Sequence, residues 1–136
     1  MDCVFCRIVR GELPAHKVYE DSETLAFLDI HPMTDGHTLV IPKVHAERFL
    51  ELSPELAGKL LQAVHRVTER LAQALKAPAF TIGVNDGRAA GQAIPHLHVH
   101  IIPRFPGDGG GSMHSIIYTS HKRSLEEIHR LIAHKP

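Results

Sequence analysis

The sequence lacks net charge: 15 Lys and Arg residues balance 15 Asp and Glu, with 12 histidines counted neutral. A broad electrostatic footprint for nucleic acid or a membrane surface is therefore not expected, and an anionic ligand has to be held locally. The chain also lacks a run of about 18 apolar residues that would cross a bilayer. Its first residues, Met-Asp-Cys-Val-Phe-Cys, carry neither the basic nor the apolar region of a secretion signal. A cytoplasmic protein with no nucleic-acid or membrane partner is expected. Cysteine is scarce: Cys3 and Cys6 are the only two, and in such a compartment a pair is more often two thiols or two metal ligands than a disulfide. No internal repeat or low-complexity block divides the 136 residues, so one domain is expected. With 43% hydrophobic and 22% charged residues, that domain has enough apolar material for a core without staples.

What the sequence does have is histidine, concentrated in Pro95-His-Leu-His-Val-His-Ile-Ile-Pro-Arg104, where His96, His98 and His100 alternate with Leu97, Val99 and Ile101. In a helix that spacing would fan the three rings around the axis, whereas in a strand alternate residues share a face. The Val and Ile content and the bracketing Pro95 and Pro103 favour a strand. Three imidazoles then project from one face, with Leu97, Val99 and Ile101 turned to the core. Histidine titrates near neutrality and serves as nucleophile, acid, base or metal ligand, so the row points to metal binding or to phosphoryl transfer rather than to a solvated edge.

Elsewhere the chain alternates short strands and helices. Cys3 to Gly11 reads as a short helix or turn ended by glycine. Val18-Tyr19-Glu20 and Thr24 to Asp29 read as strands about a polar turn, His31 to Gly36 as a loop, and His37 to Pro42 as a buried strand. Ser53-Pro54-Glu55 starts a long helix, whose Leu56, Leu60, Val64, Val67, Leu71 and Leu75 form one stripe, and Pro78 ends it. Phe80 to Val84 is a further strand. Asn85 to Gln92 is a glycine-bearing loop that can offer backbone N–H groups to an anion. Phe105 to Gly111 is expected to be flexible. Ser124-Leu-Glu-Glu127 is a capping box opening a last helix with Leu125, Ile128, Leu131 and Ile132 on its apolar side. Tight turns and a surplus of strands favour an antiparallel α+β fold of about five strands with a long helix and a C-terminal helix.

The His96-Leu-His98-Val-His100-Ile101-Ile102 motif resembles that of the histidine-triad (HIT) family. The likeness extends through Phe27-Leu28-Asp29-Ile30, Gly36-His37-Thr-Leu-Val-Ile-Pro42-Lys43, Asn85 and Gly91-Gln92, roughly residues 3 to 105, and leaves 106–136 as an extension. It implies a homodimer and attack at a nucleotide α-phosphate that releases a nucleoside monophosphate. It also implies a nucleotidyl-histidine intermediate on His98, with His100 on the phosphate or leaving group. His37, Asn85 and Gln92 would orient the phosphate, although by themselves Asn85 reads as a turn residue and Gln92 as a solvated loop side chain. Asp29 is the expected ribose partner, because a carboxylate accepts from two adjacent hydroxyls. Phe5, Ile8, Leu13, Phe27 and Ile30 could line a pocket for a purine base, though such residues alone are more often core.

Two thiolates at the Cys3-x-x-Cys6 spacing chelate one tetrahedral ion. The resemblance to a zinc-carrying subset of the family supplies the other two ligands as His45 and His96. One departure stands out: many relatives carry Ser or Thr after the Gly-Gln pair, where this chain has Ala93, which bears on phosphoramidate cleavage. Retention of the third histidine favours hydrolysis over nucleotidyl transfer. The expected activity is therefore hydrolysis of adenosine phosphoramidates or dinucleoside polyphosphates, and the alternative is a nucleotide-binding regulatory module with little turnover.

Overall fold

Alternation of period two across the middle of the chain and of period 3.6 after Ser53 divides it into a sheet and a helix that covers one face. The computed structural model describes residues 3–119 and 121–133. Its elements are α1 (Val4–Val9), β1 (Lys17–Glu20), β2 (Thr24–Leu28), β3 (Thr38–Pro42), α2 (Pro54–Leu75), β4 (Ala79–Gly83), β5 (Val99–Arg104) and α3 (Leu125–Ala133). The strands form one antiparallel sheet in the order β1-β2-β3-β5-β4, the expected α+β architecture.

The Ser53 side chain accepts from the Leu56 N–H, and Pro54 occupies the first turn of α2, as its sequence implies. Leu60, Ala63, Val64, Val67 and Leu71 of α2 are buried against Ala26, Val40, Val99 and Ile101 of the sheet. The α2 stripe is thus covered by the protein's own sheet. β4 is an edge strand of that sheet, with Ile82 and the adjoining Val84 partly exposed. The opposite sheet face carries Leu25, Phe27, Leu39 and Ile41, packed under α1 through Cys3 and Phe5.

Four local expectations change. β5 begins at Val99, so only His100 of the three triad histidines lies in the strand. His96 and His98 stand in the extended segment that leads into it, anchored where the Leu97 N–H donates to the Ala46 carbonyl at 2.7 Å. Pro103 lies inside β5 opposite Phe80, past the last β3 pair Thr38↔Ile101, so its missing N–H interrupts no β3 ladder. The glycine-rich 105–111 loop is pinned rather than free: Arg104 forks onto both Asp108 oxygens at 2.7 and 3.1 Å and donates to the Gly111 carbonyl. The apolar side of α3 faces outward, with Leu125, Ile128, Leu131 and Ile132 all exposed.

Candidate active site

His37, His96 and His98 are each oriented by a backbone group, and that group decides which nitrogen carries the proton. The His98 Nδ1 lies 2.7 Å from its near neighbour, the His96 carbonyl. A carbonyl only accepts, so Nδ1 holds the hydrogen and Nε2 keeps a free lone pair. In the same way His96 Nε2 donates to the Pro42 carbonyl at 2.9 Å, which leaves its Nδ1 lone pair facing Cys3 Sγ at 3.4 Å and Cys6 Sγ at 3.5 Å.

His37 is anchored the opposite way. The Met33 N–H donates to its Nδ1 at 3.1 Å, so its hydrogen is on Nε2, which donates to His100 Nδ1 at 3.0 Å. His100 must then carry its own hydrogen on Nε2. A chain of three donors therefore runs from the Met33 amide through His37 to His100 and ends in one N–H. Asp29 Oδ2 stands 3.5 Å from His37 Nε2, and Asp29 Oδ1 accepts from the His31 N–H at 2.8 Å. His37 is placed by Gly36, whose φ of +89° suits glycine and whose Cβ, if present, would collide with Leu75. Burial pushes the His37 imidazole below its usual pKa against the opposing pull of Asp29. Burial, then the neighbouring His98 and His37, push His100 down to about 4, so both rings are neutral at pH 7.

Two groups of side chains have metal-ligand composition: Cys3, Cys6, His45 and His96, and Asp29, His37 and His100. The first fits. Its four donor atoms lie within 4.8 Å of one another, with His45 Nδ1 3.2 Å from Cys6 Sγ. A tetrahedral zinc with about 2.3 Å to sulfur and about 2.0–2.1 Å to nitrogen spaces its ligand atoms roughly 3.3–3.8 Å apart. Both cysteine thiols are free of disulfide, and burial together with Cys3 raises the Cys6 pKa, a penalty on the thiolate that a bound cation would reverse. The second group does not fit, because metal at His37 Nε2 would displace the hydrogen that the Met33 amide fixes there.

The remaining residues singled out by sequence are distributed around this centre. Phe5 and Phe27 are buried edge-to-face partners with ring centroids 5.3 Å apart, and Phe5 lies equally close to His98. Ile8 and Leu13 are half-buried, and Ile30 is 81% exposed. Asn85 is exposed at the rim of a cleft of about 450 Å³ that begins at His37 and His100. The Gln92 amide accepts from the Gly87 N–H and donates to the Glu47 and Ile94 carbonyls, so it clamps the 87–92 loop to the segment after His45. Sequence reasoning missed the Met33 amide and the Pro42 carbonyl, since backbone groups leave no residue-type signal; Asp86, which accepts from the Phe49 N–H and Arg48, was legible only as part of a turn.

A HIT-domain family model matches residues 10–107. The chain belongs to the HIT family. Among solved structures, a HIT family protein from Bacillus anthracis superposes with a TM-score of 0.85 at 36% identity, covering 97% of this chain and 93% of its own. A zinc-bound histidine triad family protein from Mycobacterium smegmatis gives 0.76 at 43% identity, covering 80% and 79%. A relative named adenylylsulfatase HINT3, from Arabidopsis thaliana, is 44% identical over 103 residues, 76% of this chain and 52% of that longer protein.

Proposed function

We propose that this HIT-family protein hydrolyses nucleotides at the α-phosphate, with His98 as nucleophile. The observation that carries the reading is the paired orientation of two neighbouring rings. His98, fixed by the His96 carbonyl, presents a bare Nε2, while His100, 5.0 Å away between ring centroids, presents an N–H. In-line displacement needs one attacking lone pair and one donor on the departing side. The adenylylsulfatase name of the Arabidopsis relative supports a nucleotide substrate.

In the first step His98 Nε2 bonds to phosphorus and the bond to the leaving group breaks. The leaving atom takes the Nε2 proton of His100; the hydrogen-bonded His37–His100 pair is neutral in the free protein and takes up one proton, shared between its two rings, when the bound phosphate anion offsets its burial. In the second step water attacks the nucleotidyl-His98, gives its proton to His100 and releases the nucleoside monophosphate. Asp29 takes the ribose hydroxyls, Phe5, Ile8, Leu13, Phe27 and Ile30 border the purine base, and Asn85 and the 87–92 loop take the phosphate. The Cys3, Cys6, His45 and His96 set holds a structural zinc, as the zinc-bound Mycobacterium relative supports, and ties α1 to the triad. The open β4 edge joins two copies in a homodimer.

The test is incubation of the protein with nucleoside phosphoramidates, adenylyl sulfate and dinucleoside polyphosphates, followed by trapping. Monophosphate release with an acid-labile, base-stable label on His98 supports the reading; tight nucleotide binding with no release from any conjugate would make the protein a binding module instead.

A further inference from the structure

We infer that Cys6 and Cys3 form a peroxide-sensitive modification site: a hydroperoxide joins them in a disulfide that empties the metal centre and loosens the triad. This rests on the structural zinc of the reading above and adds a reversible control to it.

Access comes first. The two thiols are the only cysteines of the chain, and both are free. Cys3 is 4% exposed, whereas Cys6 is half-buried, with its Sγ 3.2 Å from the exposed ring of His45. An oxidant therefore meets Cys6 first, from the His45 side. Cys3 caps α1 and Cys6 lies one turn on, its N–H donating to Cys3 Sγ at 3.5 Å, so the second sulfur stands ready within the same turn.

The Cys6 thiolate attacks one peroxide oxygen, the O–O bond breaks and the other oxygen leaves as hydroxide or alkoxide, giving a sulfenic acid. The Cys3 thiolate then attacks the Cys6 sulfur and displaces hydroxide. Two electrons have passed from the sulfurs to the peroxide, and the centre has lost two of its four ligands. A dithiol reductant restores both thiols by exchange.

The consequence follows from what each state offers His96. That ring is buried, its Nε2–H is spent on the Pro42 carbonyl and its Nδ1 lone pair faces the two sulfurs. In the loaded centre the lone pair holds the metal; in metal-free reduced protein a thiol S–H donates to it. A disulfide has no hydrogen to give, so oxidation leaves a buried acceptor without a partner. The strain falls on the residue whose carbonyl orients His98. Phe5, between the two cysteines in sequence, packs edge-on against both His96 and His98 and shifts with them. The tether changes as well. Metal links Cys6 to His45 and Cys3 to His96, 39 and 93 residues away, whereas the disulfide closes a ring of residues 3–6 alone. A cross-link over a longer loop restrains the unfolded chain more, so the exchange lowers stability.

The experiment treats zinc-loaded, untagged protein with hydrogen peroxide. It follows metal release to a chromogenic chelator, the mass of the unfolded chain, Tm, and kcat/KM for a nucleoside phosphoramidate. The expected result is one zinc released for each chain that becomes lighter by two hydrogens, with kcat/KM lower by about tenfold or more. Tm should descend from zinc-loaded to metal-free reduced to oxidised protein, and dithiothreitol with zinc should restore every readout. In Cys3→Ser protein, dimedone should label Cys6 faster than it labels Cys3 in Cys6→Ser protein. Zinc that stays bound while only methionines gain oxygen overturns the site, as does protein that takes up no zinc; neither outcome touches the hydrolase reading. A disulfide whose Tm matches that of metal-free reduced protein overturns the coupling through His96. Absence of turnover in the untreated protein, with metal release, disulfide and Tm order as expected, overturns the hydrolase reading and leaves the modification site standing.

Discussion

Two histidine clusters lie side by side on the same sheet face and have opposite chemistry. At Cys3, Cys6, His45 and His96, a backbone carbonyl takes the hydrogen of His96 and turns its lone pair toward two thiols. At Asp29, His37 and His100, a backbone amide takes the lone pair of His37 and passes a hydrogen outward. Each cluster has two histidines, beside two thiols in one and a carboxylate in the other; what sets the ring's role is whether the main-chain group behind it is C=O or N–H. His98 stands between them and is anchored like His96, through a carbonyl. No thiol faces it among the described residues, so in the proposed reaction the same free lone pair serves as the nucleophile.

The largest effect expected follows from removing that lone pair. His98→Ala should lose several orders of magnitude in kcat while keeping the fold, because a covalent catalyst provides the whole pathway. Wild-type-like turnover with an intact circular dichroism spectrum would sink the assignment and leave both clusters without a reaction between them.

Breaking the donor chain comes next. His37→Leu should lower kcat by about 100-fold, the range for a general-acid contribution, because His100 is no longer held in the Nε2–H form. His37→Gln can accept from the Met33 N–H and donate to His100, so it should recover most of the loss. Equal defects in the two variants would show that His37 does something other than relay a hydrogen.

The metal cluster should respond in stability more than in chemistry. Metal analysis of untagged protein is expected to find near-stoichiometric zinc that Cys3→Ser/Cys6→Ser loses. Thermal denaturation should then show a Tm lower by roughly 10 °C, since ligand binding free energy is folding free energy at such a site. Activity should fall mainly through KM as α1 and Phe5 loosen. Metal-free wild-type protein of equal stability would remove the site.

Much of this was legible in residues and some was not. The α2 stripe and its Ser53-Pro54 start were readable because capping and periodicity are local. The alternation of His with Leu97, Val99 and Ile101 placed those three apolar residues in the core, where all are buried. The β5 start at Val99 was not readable, since it depends on where β3 stops pairing. The fixed 105–111 loop was missed because glycine content suggests freedom, while the Arg104–Asp108 fork that removes it is a single pair. The ligand set for zinc was suggested by resemblance, but the donor atoms follow from the Pro42 carbonyl, 54 residues from the ring it orients. Orientation by distant backbone groups leaves no trace in composition or spacing.

The smallest effect expected is a pH dependence of stability that separates the clusters. His37 and His100 are held neutral by burial, with folded pKa values below the ordinary histidine value, about 4 for His100. Between the unfolded value of about 6.5 and that folded value, the unfolded chain binds more protons. Stability therefore falls as pH falls through this window and is fully present above it. Asp21, held down to about 2 chiefly by hydrogen bonds from Glu23, Thr24 and Tyr19 that outweigh its burial, loses its contribution mainly at lower pH, and equally in the two proteins compared. Acid release of zinc would mask the histidine term, so the measurement belongs in the Cys3→Ser/Cys6→Ser background, where any contribution from His96 is common to both proteins compared. Urea midpoints there, from pH 7.5 to 4, should decline less steeply when His100→Gln is added. Parallel curves would mean that His100 is not kept neutral in the folded protein, and the donor it presents to a substrate would need another source.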